Sequence, residues 1–437
     1  DHVCLLHKAI YGLNQAPRAW FDKFSAFLLN FGFICSVKDP SLFIYHHGDT
    51  TIFLLLYVDD MVLTGNDTSV MRKLLQSLSS EFRMKDMGPL SYFLGIQVRY
   101  TPTGLFLNQE KYASELLQTA GMLDCAPMPT PLPLQIDRVP HQDELFTDPT
   151  YFRSLAGKLQ YLTLTRPDLQ FAVNLVCQKM HKPILADFHM LNRVLRYVKG
   201  TLTMGLHFHS DSDSSLKAFC DSDWAGCSET RRSTGGFCTI LGSNLISWSA
   251  TKQDSVSRSS TEAEYRCLSD TAAELSWIID ALKELGFPVT KPAEAYCDNL
   301  SAVHLTANPV LHKKFKHFAT HYHYAREQVA KGTLIVRHVP ASSQLADIFT
   351  KSLPQAAFYS LRSKLGVVPS PTTSLRGDIS TAHMNHKKTD TKPVSSQQRN
   401  KQELPSVTTR AQGCCVGRTE KHTLQLGNRY SLLSVAT

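Results

Sequence analysis

The 437-residue sequence has no apolar run approaching the ~20 residues that a membrane-spanning helix needs. Its N-terminus lacks the charged-then-apolar pattern of a secretory signal. Asp1 is not an initiator methionine, which fits continuation of a longer reading frame. No CxxC pair and no Cys/His zinc spacing occurs, and the eleven cysteines are scattered. Most stand in apolar segments, where a thiol behaves as a small hydrophobe. No internal repeat is present. These absences predict an intracellular protein, cytoplasmic or nuclear rather than secreted, with no membrane partner.

The positive charge excess is itself thin over most of the chain. The formal net charge is +8, which suits a nucleic-acid partner. Residues 367–437 hold ten Lys/Arg against four Asp/Glu, so six of those eight charges sit there. That segment is polar and poor in large apolar residues, which predicts a disordered tail. The remainder, in a chain 43% hydrophobic, is ample for two to three packed domains.

Tyr57-Val58-Asp59-Asp60 follows the strand-forming run Thr51-Ile52-Phe53-Leu54-Leu55-Leu56. Two adjacent carboxylates repel by about 4 kcal/mol at ~4 Å and an effective dielectric of ~20. A fold keeps such a pair where a hard cation neutralises it, although a solvated Asp-Asp turn is the commoner use. Around it, 18–33 reads as an amphipathic helix whose aromatics belong to a core. Residues 42–46 and 51–58 read as a hairpin, 70–82 as a helix, and 92–98 and 104–108 as strands. The proline-rich stretch 126–150 reads as a linker or an extended surface segment. Helices resume at 151–164, 168–180 and 188–198. On the last, Arg193, Arg196 and Lys199 share one face, either solvated or set against a duplex backbone.

From Leu216 the pattern becomes three strands, a long helix, then alternating strand and helix. Asp221 ends the strand 216–220, and Asp298 ends the strand 293–297. Glu264 stands in the first turn of a helix opening at Ser260, and Asp347 on a short helix after the strand 334–338. Strand-end aspartates and a glutamate from a crossing helix can converge on one point. Four converging carboxylates require cations, and two divalent ions make them a two-metal phosphodiester hydrolase. Oxygen ligands favour Mg²⁺, with Mn²⁺ as substitute. Glu262 competes with Glu264, and Asp223 lies two residues from Asp221. Arg231 and Arg232, like Lys252 and Arg258, suit either phosphate contact or a solvated turn. His338 reads as a packed strand end.

Several blocks carry a resemblance. They include Tyr11-Gly12-Leu13-Asn14-Gln15-Ala16-Pro17-Arg18-Ala19-Trp20-Phe21, the Tyr57–Asp60 tetrapeptide, Tyr92-Phe93-Leu94-Gly95-Ile96 and Thr165-Arg166-Pro167-Asp168. Cys220-Asp221-Ser222-Asp223-Trp224-Ala225-Gly226, Ser259-Ser260-Thr261-Glu262-Ala263-Glu264-Tyr265, Asp298-Asn299 and Ala346-Asp347 continue the order. Over about residues 3–366 the chain resembles the Pol polyprotein of copia-type LTR retrotransposons.

The resemblance implies a multidomain α/β and α+β protein. It would have a truncated reverse-transcriptase palm (1–110), a helical thumb/connection region (111–213), a ribonuclease H-like mixed-sheet domain (214–366) and the tail (367–437). It implies Asp221, Glu264, Asp298 and Asp347 as catalytic metal ligands for two Mg²⁺ ions. In the palm it implies Asp59 and Asp60 as metal ligands and Tyr57 and Gln15 at the nucleotide. Leu94-Gly95 would lie at the primer, and Arg196, Lys199, Arg231 and Arg232 at nucleic acid. The expected partners are an RNA–DNA hybrid and other Pol segments, with no small-molecule cofactor. The expected setting extends to virus-like particles. The expected activity is hydrolysis of the RNA strand of RNA–DNA hybrids.

One element of the family's palm is missing. The third polymerase carboxylate belongs to a block upstream of the Tyr-Gly-Leu motif, and Asp1, Asp22, Asp39 and Asp49 have no such context. The polymerase half is therefore expected to be inactive alone. Lys316-His317 matches the family, but no acidic residue stands near His321. A non-enzymatic relic and a host-recruited nucleic-acid-binding protein are the alternative readings.

Overall fold

A computed structural model describes Leu13 and residues 15–135, 144–307, 319–371 and 406–411. The chain divides into two compact units. The first holds residues 1–35, 40–90 and 371–414; the second holds 36–39, 91–370 and 415–437. The Lys316-His317 block lies outside the described residues.

In the first unit, α1 (Ala16–Phe31) begins with Pro17, whose fixed φ suits a first turn. It ends at Gly32, whose φ of 110° takes the left-handed cap. Strands β1 (Ile34–Cys35), β2 (Leu42–His47), β3 (Thr50–Tyr57) and β4 (Asp60–Gly65) form an antiparallel meander. Asp67 caps α2 (Thr68–Glu81), accepting from the backbone N–H of Ser69 at 2.8 Å and of Val70 at 3.1 Å. Phe24 and Leu28 pack with Phe43, Leu54, Met71, Leu74 and Leu78 in one core, so the aromatic face of α1 is structural. The sheet continues past β4 to β5 (Met84–Asp86), but another strand lies between them. It is Ser406–Ala411, antiparallel to both, with Thr408 in register with Val62. This corrects the expectation of a tail disordered throughout: an edge strand offers backbone groups that pair whatever the side chains are.

The second unit opens with β6 (Tyr92–Phe93), β7 (Ile96–Thr101) and β8 (Gly104–Asn108). Helices α3 (Glu110–Thr119), α4 (Pro149–Leu162), α5 (Gln170–Cys177) and α6 (Leu185–Gly200) follow, then β9 (Met204–His209). Phe152, Leu155, Leu159, Leu191, Val194 and Leu195 are fully buried. Within the proline-rich stretch, Thr130, Pro131 and Leu132 are buried rather than on the surface. Thr130 Oγ1 donates to Leu132 O at 2.9 Å, and Met128 N donates to Arg196 O of α6 at 3.1 Å, so the segment is satisfied partly by its own side chain and partly by a helix.

The rest of the second unit is a mixed sheet with helices. Its elements are β10 (Leu216–Ser222), β11 (Thr234–Leu241), β12 (Asn244–Lys252), α7 (Ser260–Glu284) and β13 (Ala293–Cys297). Then come α8 (Leu300–Ala307), α9 (Ala319–Ala330), β14 (Leu334–His338), α10 (Gln355–Lys364) and β15 (Val367–Pro369). The strand order is β12-β11-β10-β13-β14. β10, β11 and β12 are antiparallel, while β13 and β14 run parallel to β10. This is the ribonuclease H-like mixed sheet. One face of α7 buries Tyr265, Leu268, Ala272, Leu275, Ile278 and Leu282 in the core beneath it. β15 pairs with β9 in a separate antiparallel sheet, β15-β9-β8-β7-β6. Residues 367–369 are thus a strand, a second correction to the expected tail. That sheet also joins strands from both sides of the boundaries expected at 110, 213 and 366.

Candidate metal centre and nucleic-acid interface

β10 is central because it accepts an antiparallel neighbour on one side and a parallel one on the other. The parallel register sets Cys220 beside Cys297, so the next residues, Asp221 and Asp298, leave the same end of the sheet. The 3-10 turn Leu345–Phe349, which carries Asp347, packs against this end. It can do so because Gly236, opposite Asp221 in β11, has no side chain. A Cβ there would lie 2.5 Å from Phe349 Cβ. Gln344 fixes the start of the turn: Nε2 donates to Cys220 O at 2.9 Å, and Oε1 accepts from Ala346 N at 3.2 Å.

Ser259 caps α7 by accepting from Glu262 N at 3.2 Å. Glu264 therefore stands in the second turn rather than the first. Glu262 accepts from Arg258 N at 3.0 Å and pairs with Arg266 at 2.8 Å, a use in holding the helix start. Glu264 points instead toward Asp298. Asp223 is held by the backbone N–H of Thr234, and burial followed by the neighbouring Asp221 charge pushes it up to about 6.

Two overlapping groups of ligand atoms result. Oxygens of Asp221, Asp298 and Asp347 lie within 4.8 Å of one another, as do atoms of Glu264, Cys297 and Asp298. Asp298 belongs to both. Burial raises the carboxyls of Glu264, Asp298 and Asp347 above their ordinary range. The neighbouring Asp221 charge adds to the rise at all three. Such a cluster is costly unless cations neutralise it. Sequence reasoning missed three contributors. Lys351 Nζ stands 2.7 Å from Asp347 Oδ1 and 3.2 Å from Asp221. Thr350 Oγ1 donates to Asp221 Oδ2. The Cys297 sulfur is 3.7 Å from Glu264 Oε2. The spacing of four from Asp347 to Lys351 was the one available signal.

The other expected site residues are dispersed. Asp59 and Asp60 lie at the β3–β4 turn, where Val58 has a φ of 53° and Tyr57 is exposed. Among the described residues no third His, Cys, Asp or Glu joins them in a ligand group. Gln15 is exposed just before α1. Arg231 and Arg232 are exposed between β10 and β11, with Arg231 at a φ of 53°. Arg196 Nε donates to Ala126 O at 2.7 Å, and Arg193 Nη2 to Thr130 Oγ1 at 3.1 Å. Those two arginines anchor the proline-rich segment. Lys199, half-buried, stands in the last turn of α6. His338 is exposed rather than packed, and its charge acts on Asp298.

Residues 1–133 match the family Reverse transcriptase (RNA-dependent DNA polymerase). The chain is 45% identical over 371 residues to the retrovirus-related Pol polyprotein from transposon RE2 of Arabidopsis thaliana. That match covers 85% of this chain and 26% of the polyprotein. An uncharacterized mitochondrial protein of Arabidopsis thaliana is 61% identical over 226 residues, covering 52% of this chain and 94% of that protein. The chain belongs to the copia-type retrotransposon Pol family. It spans about a quarter of the length of the Pol polyproteins it matches. Among solved structures, LC11-RNase H1 in complex with an RNA/DNA hybrid matches with a TM-score of 0.26 and 15% identity. It covers 31% of this chain and 94% of that one. The strand order β12-β11-β10-β13-β14 defines the fold of this part of the Pol segment.

Proposed function

We propose that residues 214–366 of this Pol segment hydrolyse the RNA strand of RNA–DNA hybrids with two divalent ions. Asp221, Glu264, Asp298 and Asp347 would hold the ions, Mg²⁺ by preference and Mn²⁺ as substitute. The observation that carries this reading is the convergence of four carboxyls from four separate elements into two ligand groups sharing Asp298. Their raised pKa values fit a site built to receive positive charge. Bound divalent ions supply Lewis acidity for activating a water and stabilising the leaving oxygen of a phosphodiester.

The chain's own residues do the rest. Thr350 orients the Asp221 carboxylate, which is almost wholly buried. Glu264, almost wholly buried, would supply the inner oxygen ligand beside Asp298. Lys351, half-exposed beside Asp221 and Asp347, would offer its ammonium to a phosphate oxygen of the hybrid. In this reading Arg231 and Arg232, exposed between β10 and β11, would contact the hybrid backbone. In the same reading, Asp59, Asp60, Tyr57 and Gln15 are relics of a polymerase site that does not extend a primer in this segment alone.

The test is cleavage of an RNA-labelled hybrid in Mg²⁺ by the full chain, beside Asp298→Asn. Loss of a shared metal ligand should reduce the rate at least ~10-fold. Equal rates in the two proteins would remove the assignment. Hybrid binding without cleavage would favour the binding-protein reading.

A further inference from the structure

Asp221, Glu264, Asp298 and Asp347 offer only oxygen, but the corner around Glu264 offers sulfur as well. Cys297 ends β13 and directly precedes Asp298. Its sulfur and the carboxylate oxygens of Glu264 and Asp298 form one group within 4.8 Å, and the side chain is 0% exposed. Two further buried thiols lie nearby, and the Cys220 thiol is hydrogen-bonded to Cys297 itself. Cys220 donates to Tyr296 O at 3.5 Å, and Cys267 to Gly236 O at 3.3 Å. The Cys297 thiol faces the Glu264 carboxylate at 3.7 Å, and its sulfur accepts from the Asn299 N–H at 3.4 Å.

We propose that Glu264, Cys297 and Asp298 form a thiophilic metal corner that takes a borderline or soft divalent ion, zinc or cadmium, in competition with the hard ion. The inference rests on the hydrolytic reading for its two oxygen ligands. The preference follows from ligand chemistry. Thiolate selects zinc-like ions, whereas Mg²⁺ demands oxygen in near-octahedral array. Loading forms a metal–sulfur bond as the S–H bond breaks, and the proton leaves to solvent. No electron is transferred and no oxidant is required. A zinc or cadmium ion held by sulfur at this corner would occupy Glu264 and Asp298 and so arrest Mg²⁺-dependent hydrolysis.

The experiment is titration of the full chain with cadmium chloride, reading the thiolate-to-cadmium charge-transfer band in the ultraviolet. Wild type should show a tight component that excess Mg²⁺ suppresses. Cys297→Ser should lose it, with cadmium affinity falling about 10–100-fold. The double variant Glu264→Gln/Asp298→Asn should weaken it too, which a stray surface thiol would not show. A band of unchanged strength and affinity in Cys297→Ser, or one indifferent to the carboxylate changes, overturns the proposal. Should the serine variant misfold, Cys297→Ala and cadmium-113 resonances of the wild type decide the same point, since the shift separates mixed sulfur–oxygen ligation from oxygen alone. A Cys297-dependent band without Mg²⁺-dependent cleavage would retain the corner and reject the hydrolytic reading. Cleavage without such a band would reject only the corner.

Discussion

The ammonium of Lys351 stands 2.7 Å from the carboxylate of Asp347, four residues back across a 3-10 turn. It also reaches Asp221 at 3.2 Å. Burial opposes the charge on Lys351, but Asp221 and Asp347 outweigh it and raise its pKa. The site thus carries its own cation at one end, and a divalent ion must compete with it. Lys351→Met should tighten Mn²⁺ binding at least ~10-fold, since unit charges ~4 Å apart at an effective dielectric of ~20 repel by about 4 kcal/mol. It should also lower the melting temperature in EDTA. Calorimetric titration and thermal melts measure both. Unchanged affinity would mean that the lysine swings clear at no cost.

The carboxyls of Glu264, Asp298 and Asp347 are all raised by burial first, and so is Asp223, to about 6. The folded protein then binds more protons than the unfolded chain over the interval between the two pKa values. This contribution to stability is fully present below the unfolded pKa and is lost as pH rises through the folded one. For Asp223 that window runs from 3.8 to about 6, and Glu264 extends it upward. In EDTA the melting temperature should therefore fall as pH rises from about 4 to 8. Saturating Mg²⁺ should flatten the fall. A metal-free protein that gains stability over this range would contradict the electrostatics.

A second charge pair is buried away from the acidic cluster. Arg166 meets Asp168 in bidentate fashion, Nε to Oδ1 at 2.9 Å and Nη2 to Oδ2 at 2.8 Å, with both side chains almost wholly buried. Tyr197 donates to Asp168 at 2.6 Å, and Arg362 of α10 donates to Tyr197 at 3.0 Å. The network ties the 3-10 turn before α5 to α6 and to α10. Asp168→Asn leaves a buried guanidinium uncompensated and should cost about 3–5 kcal/mol. Replacing both partners, Arg166→Met with Asp168→Leu, should cost less. Urea titrations decide, and equal losses would assign the effect to packing alone.

The carboxylate set was legible because strand-forming runs that lead directly into an aspartate leave a record in composition, although β10 itself continues through Asp221 to Ser222. Leu216–Cys220 before Asp221 and Ala293–Cys297 before Asp298 are such records. Cys297 itself was not legible, because a cysteine in a strand reads as a small hydrophobe until its neighbour across the fold is known. Lys351 depends on a turn type that spacing alone leaves open. The i, i+3 spacing of Arg193 and Arg196 reads as a basic face, solvated or set against a duplex, but its partners here, Thr130 and Ala126, come from a segment distant in sequence. The Ser406–Ala411 strand is held by ladder bonds that any non-proline residue supplies, so composition carried no sign of it.

That strand has a consequence for truncation. It covers the edge of β4, the strand that follows Asp59. Deleting 372–437 should leave hybrid cleavage intact, since no element of the carboxylate site is removed. It should bare the β4 edge and promote self-association, which light scattering would detect. Amide exchange in the full chain should protect 407–410. Rapid exchange there, with a monodisperse truncated protein, would show that the edge needs no cover.

Gly236 offers the sharpest steric test of the site. Its Cβ, if present, would lie 2.5 Å from Phe349 Cβ and 2.9 Å from Thr350 Cγ2. Phe349 is fully buried and cannot turn aside, so the 3-10 turn must move as a body. That turn bears Asp347 and leads into Thr350 and Lys351, all of which meet at Asp221. Gly236→Ala should therefore cost about 1–3 kcal/mol by overpacking. It should also lower hybrid cleavage at least ~10-fold, because a displacement of the order of 1 Å at the reacting centre costs more than that. The neighbouring Gly235→Ala meets the Cys267 sulfur at 3.3 Å, Cys267 Cβ at 3.4 Å and Gln253 Nε2 at 3.7 Å, and should be milder in both measurements. If Gly236→Ala cleaves and melts like the wild type, Asp347 is not held by this packing, and its place among the metal ligands loses its structural support.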